Sequence, residues 1–562
     1  MLQARLKQRI SNISSSDRKK GSGMIMKKVR FLQVLVVSAM FSYPLSAQVL
    51  YEQAFKFGKV LEWIDNYYVD TINQEELVET AITQLLKELD PHSSYLSKEE
   101  VEEMNEPLQG NFEGIGISFN ILDDTIFVIS PISGGPSEKV GILSGDRIVM
   151  VDGKNVAGIG INNEKVYELL RGKKGTHVTV TVQRRKVNDL LDFNITRDKI
   201  PIFSIDASYK VNENTGYIKI NRFSLTTVDE FKKSISTLKK DNISNLILDL
   251  TNNGGGYLEI ATELADQFLA EGELIVYTQG VNNPKKEYLA TKEGEFEKGK
   301  LVVLIDEGSA SASEIVSGAI QDWDRGIIVG RRSFGKGLVQ RRGPLPDQSE
   351  LRLTIARYYT PTGRLIQKPY DKGKEDYDLD ISRRYTHGEF VSSDSIHFPD
   401  SLKYYTLKNT RLVYGGGGIM PDLFIPLDTS YYTDYYRDLI RLGILNQFVL
   451  NYVDQNRNEL LRLYPDILAF KSGFEMDEDI LNRLTLFAVE QGLPENPDAL
   501  TVSGKQIKTL AKGYIARDLW STSEFYQIVN EEDAKFQAAL SILKDWDLYE
   551  VSLLTGKEKS LP

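Results

Sequence analysis

A serine behind an apolar strand and a lysine 25 residues further on can run acyl transfer without histidine or cysteine. The stretch "LVVLIDEGSASASEIVSGAIQDW" (residues 301–323) supplies the serine, Ser311, and "RRSFGKGLVQ" (residues 331–340) supplies the lysine, Lys336. The small residues of "GSASAS" cannot prolong the strand, and a helix pattern follows them. Ser311 is therefore expected at a helix N-terminus, where unpaired amides and a positive local potential favour an oxyanion. No histidine lies nearby in sequence. A lysine serves as base when it is neutral, and burial lowers its pKa. Lys336 follows an apolar strand and Phe334, and Gly335 and Gly337 permit close backbone approach. Helix capping is the alternative reading of the serines. "GRRSFGKG" from Gly330 also fits G-x-x-x-x-G-K. A phosphate-binding loop needs Ser or Thr next and then a helix; Gly337 and "LVQRRGPL" offer neither.

Two glycine-rich turns are further candidates. "DLTNNGGGY" (residues 249–257) lies between a strand and a helix, so its amides can face a ligand as an oxyanion hole or anion nest. "EGIGISFNI" (residues 113–121) can bind a chain-terminal carboxylate through its amides, with the peptide added as a strand along an exposed edge. The alternatives are a left-handed turn and a β-bulge.

The whole chain limits what else is possible. There are no cysteines, so disulfides, thiolate nucleophiles and Cys-based zinc sites are excluded. The histidines His92, His177, His387 and His397 are scattered, without metal-ligand spacing or a segment that looks catalytic. No metal or cofactor is implied. The net charge of −11 gives no reason to expect nucleic acid as a partner. The 562 residues, 41% hydrophobic and 26% charged, suffice for three or four globular domains.

Residues 1–47 contain a secretory-signal pattern. Lys27, Lys28 and Arg30 precede the apolar Phe31–Phe41 run, followed by Pro44 and small residues, with cleavage expected after Ala47. Met24 and Met26 are alternative starts, and an uncleaved anchor is the alternative reading. Residues 48–108 have helical periodicity, with a capped start at Ser97. Residues 109–199 read as short strands with one or two helices. Residues 200–429 alternate strands and helices, an α/β layer pattern, with a long polar loop at 366–411. Residues 430–562 are helical and read as a separate appendage.

Taken in order, "LDPHSSYLS", "GIGI", "GDRIVMVDG", "LLRGKKGT", "NNGGG", "SASASEI" through "FGKGLVQ", "YYTPTGR" and "GGIMPD" resemble the carboxy-terminal processing proteases, peptidase family S41. The resemblance runs from about Leu50 to Leu427. It implies a multidomain α+β protein: a crotonase/ClpP-like α/β protease core with an inserted PDZ domain, an N-terminal helical segment and a C-terminal helical extension. It implies a Ser-Lys endopeptidase of the periplasm or cell envelope, near the membrane if the N-terminal segment is retained. Ser311 would be the nucleophile, Lys336 the general base and Gln340 the residue that orients it. The amides of Gly255 and Ala312 would form the oxyanion hole. Gly114, Ile115, Gly116 and Ile117 would hold the substrate carboxylate, and Arg171 would relay peptide occupancy. Partners would be proteins with exposed apolar C-termini, and residues 430–562 would serve an adaptor or self-association.

The matching family loop reads D-L-R-x-N-P-G-G; Thr251 and Gly254 replace its Arg and Pro, and the lost proline rigidity is expected to loosen the oxyanion hole before substrate arrives. Asp322 also matches a family position. It lies about 16 Å along the helix from Ser311 and is read as structural. Lys336 and Gln340 stand about 13 Å apart on a straight strand. Their contact needs a bend, expected at Gly337. An inactive scaffold acting as a binder is the competing class.

Overall fold

The computed structural model describes residues 45–551 apart from 186 and 293. The proposed signal lies almost entirely outside them. Two compact units divide the chain, one ending at Ile82 and the other beginning at Thr83. The first carries the helix Leu45–Tyr67, which exposes Tyr51, Phe55 and Trp63.

The second unit is organised by a six-stranded sheet. Its order is Ile205–Lys210, Thr215–Ile220, Asn245–Asp249, Lys300–Ile305, Ile327–Gly330 and Leu423–Phe424. All neighbours are parallel except the first pair. The central strands "NLILD" and "KLVVLI" are apolar on both faces because both faces are covered. Leu246, Leu248, Leu301, Val303 and Ile305 face the helices Thr227–Lys240, Leu258–Asp266 and Ala312–Asp322. Tyr217, Ile247, Val302, Leu304 and Val329 face the other way, onto Phe536, Ala539, Ile542 and Leu543.

That second cover corrects the reading of residues 430–562 as an appendage. The helices from Asp434 to Val529 do have a core of their own. The helix Ala534–Lys544, however, is the lid of the central sheet, and Trp546 joins it. The strands' outward apolar residues require such a lid.

Residues 366–411 also differ from the expected loop. They form the helices Lys374–Asp378 and Asp380–Thr386 and the antiparallel pair Lys403–Tyr405 with Leu412–Tyr414. Several of their polar side chains are buried and paired, although most of the segment is exposed. Arg411 reaches Asp324 at 2.7 Å and Asp422 at 2.6 Å, and Tyr377 is buried.

The small domain is closed at its neck by Asn111–Gly114 pairing antiparallel with Asp198–Pro201. Its sheet begins with the edge strand Ile117–Leu122, paired only with Thr125–Pro131. In the latter, Ile126 and Val128 face the domain's own core, whereas Phe127, on the opposite face, packs with Leu122 on Leu450. Arg147 and Arg185 flank Asp454 at 3.0 and 3.5 Å, one helical turn after Leu450. Leu450 belongs to the helix Ile444–Leu463, so the C-terminal helices seat the small domain. Replacing Leu450 by Glu forfeits about 1.5–3 kcal/mol of burial. It is expected to speed amide exchange in Thr125–Pro131; unchanged protection there would mean the contact contributes nothing.

Candidate active site

Three adjacent parallel strands end at one edge of the sheet, and the loops leaving them build one site, as open α/β sheets do. Asn245–Asp249 leads into the glycine loop, Lys300–Ile305 into the serine turn, and Ile327–Gly330 into the segment carrying Lys336. A cleft of about 590 Å³ at this edge is lined by Gly254, Gly255, Ser311, Lys336, Gln340 and Arg352, among others.

The three serines differ in their surroundings. The Ser309 hydroxyl donates to the Leu250 carbonyl and the Ser313 hydroxyl to the Asn253 carbonyl, both at 2.8 Å, and both residues are fully buried. These bonds stitch the serine turn to the glycine loop. Ser311 is partly exposed at the cleft, and its hydroxyl proton has no acceptor among the described residues. Its backbone is at φ 54°, ψ −109°, a conformation a non-glycine residue holds only under constraint. Two groups supply that constraint. Glu314, fully buried, accepts the amides of Ser311 (2.8 Å) and Lys336 (2.9 Å) on one oxygen. Its other oxygen accepts the Ser333 hydroxyl (2.6 Å) and the Gly335 amide (2.7 Å). The Tyr358 hydroxyl lies 3.1 Å from the Ser311 carbonyl and 2.5 Å from the Lys336 carbonyl. Serine turn and lysine segment are thus tied together twice through their backbones.

Lys336 is held below the ordinary ammonium range chiefly by burial and then by the cation of Arg352; Glu314 and Asp90 pull the other way. Its Nζ donates to Gln340 Oε1 at 3.2 Å. Lys336 precedes the strand Leu338–Pro344, so the straight-strand separation does not apply to the pair, and Gly337 has no left-handed backbone. No hydrogen bond joins Lys336 to Ser311 in this arrangement. Catalytic contacts are often loose without substrate.

The Ala312 amide has no protein acceptor among the described residues. The Gly255 amide differs from what the resemblance implies: it donates to Asn253 Oδ1 at 2.9 Å, and Asn253 is itself pinned to the Ile220 carbonyl. Glycine at 255 (φ +103°) is required sterically, because a Cβ there would stand 2.8 Å from Ser311 Cβ. The loop is anchored despite Thr251. Buried Lys219 donates to Asp249 Oδ1, the Thr251 carbonyl and Thr251 Oγ1 at 2.9, 2.5 and 2.7 Å. Asp322 pairs with Arg364 at 2.7 Å, both fully buried, at the far end of the helix from Ser311.

In the small domain, a groove of about 400 Å³ runs between the edge strand and the helix Asn163–Leu170, lined by Ile115, Gly116, Ile117, Phe119, Val166 and Leu170. Gly114 is not in the open turn; it ends a strand and bridges to Arg171. Arg171 packs on Phe112 and Tyr167 and pairs with Glu106 at 2.5 Å. Glu106 lies on the helix Lys98–Gln109, capped by Ser97 and Glu100, whose Met104 and Pro107 also line the serine cleft.

Residues 214–376 match the profile of Peptidase family S41, residues 114–196 that of the PDZ domain, and residues 36–100 that of the activating protease CtpB N-terminal domain. Residues 435–521 match a family of unknown function, DUF8443. The carboxy-terminal-processing protease of Bartonella bacilliformis is 38% identical over 338 residues, covering 59% of this chain and 77% of that one. This chain belongs to the carboxy-terminal-processing proteases. It is a serine-type peptidase with a PDZ domain. The processing protease CtpB of Bacillus subtilis is 36% identical over 317 residues, 56% of this chain and 65% of that one. Among solved structures, the photosystem II D1 C-terminal processing protease shares 28% identity at a TM-score of 0.32, over 55% of this chain and 89% of that one.

Sequence reasoning passed over Glu314, Tyr358, Arg352 and the turn at Asp90–Ser93. Glu314 had a visible signal, the S-x-x-E pattern from Ser311. Tyr358 and Arg352 had none.

Proposed function

We propose that the protein is an exported endopeptidase in which the PDZ groove captures an unstructured, apolar C-terminal tail and a Ser311–Lys336 dyad cleaves the chain. The observation that supports this best is that only Ser311, of the three serines, keeps a hydroxyl proton without an acceptor among the described residues, in the cleft that also holds Lys336. Neutral Lys336 takes that proton as Ser311 Oγ attacks the scissile carbonyl. The Ala312 amide, joined by Gly255 once Asn253 releases it, receives the oxyanion. The amine leaves with the proton from Lys336, giving an acyl-enzyme, and water activated by Lys336 then releases the acid. Export rests on the N-terminal segment pattern.

The test uses the full chain and an unfolded polypeptide ending in apolar residues. Cleavage is expected with the parent protein and not with Ser311→Ala. A serine-directed phosphonate should label the parent at Ser311 and not the variant. Persistent cleavage by Ser311→Ala would reassign the nucleophile.

Arg171 is proposed to couple the two sites, because its partner Glu106 sits on a helix shared with the cleft. A tail carboxylate in the groove competes with Glu106 for the guanidinium. Arg171→Ala is expected to lower peptide-stimulated cleavage about fivefold or more, within the usual range of coupling between sites, while tail affinity changes less. Equal losses in both would contradict a relay.

A further inference from the structure

We infer that the turn Asp90–Ser93 positions the base: through the His92 carbonyl it fixes which end of the Gln340 amide faces Lys336. This rests on the proposal that Lys336 is the base. Gln340 Nε2 lies 2.6 Å from the His92 carbonyl oxygen. A carbonyl only accepts, so the amide end facing it must be the NH2 group, and Oε1 is left for Lys336. The reverse orientation would set oxygen against oxygen and NH2 toward the amine. With one N–H of neutral Lys336 donated to Oε1, rotation about the Cε–Nζ bond is restricted. The nitrogen lone pair then points away from Gln340, free to receive the Ser311 proton.

The turn is built to hold that carbonyl still. Asp90 Oδ1 accepts the amides of His92 and Ser93 and the Thr354 hydroxyl, each at 2.9 Å. Asp90 Oδ2 accepts the Ser93 hydroxyl at 2.5 Å, and Ser93 Oγ accepts the Thr354 amide at 3.1 Å. Thr354 is the cross-strand partner of Gln340. Turn and glutamine are therefore referenced to the same residue of the strand Glu350–Tyr359. The His92 ring is fixed by Tyr377 at 2.7 Å, edge-on. Burial and then the nearby Lys336 push its pKa down to about 4, so it brings no charge to the base. The histidine acts through its main chain, and the "DPHS" residues serve to present one carbonyl.

The experiment is a double-mutant cycle on the full chain, with kcat and KM measured on an unstructured polypeptide. Asp90→Ala and Gln340→Met are each expected to lower kcat about tenfold to a hundredfold, the scale of a small misplacement of a reacting group, with KM within about twofold. With kcat read on its high-pH plateau, where the Asp90 charge no longer sets the neutral fraction of Lys336, the double variant should be no slower than Gln340→Met within about twofold, because the turn positions the base only through Gln340. Multiplicative losses would overturn the proposal. Should Asp90→Ala fail to fold, Ser93→Ala, which removes only two hydrogen bonds, replaces it. Its smaller kcat loss should vanish in the Gln340→Met background, and a loss that persists there counts against the turn. Lys336→Ala separates the two layers. If it still cleaves, the dyad reading and the inference fall together; if it is inactive while the cycle is additive, only the role of the turn falls.

Discussion

Lys336→Met should lower kcat by about four orders of magnitude, with little change in KM, because general-base assistance and nucleophile activation are lost together. Lys336→Arg should be as inactive although it keeps the charge, since a guanidinium does not give up its proton. The parent protein's pH profile carries the sign of the mechanism. The active form is the neutral amine, so kcat/KM must rise with pH through the folded pKa of Lys336. That pKa lies below the ordinary 10.5 because burial, and next the Arg352 cation, disfavour the ammonium form. Each pH unit of lowering makes the neutral fraction at pH 7 about ten times larger. Removing the cation in Arg352→Met lets the pKa climb back, so the rising limb moves to higher pH and the rate at pH 7 falls. A limb that stays in place, or moves to lower pH, would remove Lys336 from the role of base.

How much of this site is legible in the sequence depends on what kind of atom does the work. The Ser311–Lys336 spacing and the strand–loop–helix grammar around each are written in residue types and periodicity. That their strands are neighbours is written only in the sheet order, which brings loops at 249–257, 306–311 and 331–337 to one edge. Backbone groups are the least legible. The Gly255 amide is an oxyanion donor by motif, but the Asn253 side chain two residues away takes it. His92 looks silent because histidine is judged by its ring, whereas its carbonyl is what touches Gln340. Residues 366–411 read as a loop because they are polar and tyrosine-rich. One of their charges, Arg411, is satisfied inside by Asp324 and Asp422, and hydropathy cannot distinguish a paired interior charge from a solvated one. The terminal helix shows the converse. Apolar residues on both faces of "NLILD" and "KLVVLI" require a second cover, but which distant segment provides it is a tertiary fact.

Glu314→Gln should then have the second-largest effect, about a hundredfold or more in kcat with the fold retained. The carboxylate's position is costly: burial pushes its pKa up to about 7, against hydrogen bonds from Ser333, Lys336, Gly335 and Ser311 that pull it down. The pKa stays above the ordinary carboxylate value, so the four hydrogen bonds offset the desolvation only in part, and each of them matters to where the side chain sits. Glutamine has nearly the same shape but offers one accepting oxygen. Two of the four donors then face an NH2 group. Whichever way the amide settles, it must forsake either the oxygen that joins the amides of Ser311 and Lys336, or the one that joins Ser333 and Gly335. The first choice releases the strained serine turn from the lysine segment, and the second releases the loop that carries Lys336. Both widen the gap that the proton must cross, so phosphonate labelling of Ser311 should slow in parallel with kcat while the circular dichroism spectrum stays unchanged. Glu314→Ala, which abandons all four donors in the interior, should lose folding cooperativity as well as activity. If Glu314→Gln labels and turns over at the parent rate, the two halves of the dyad are held in register by Tyr358 alone, and Tyr358→Phe becomes the variant that separates them.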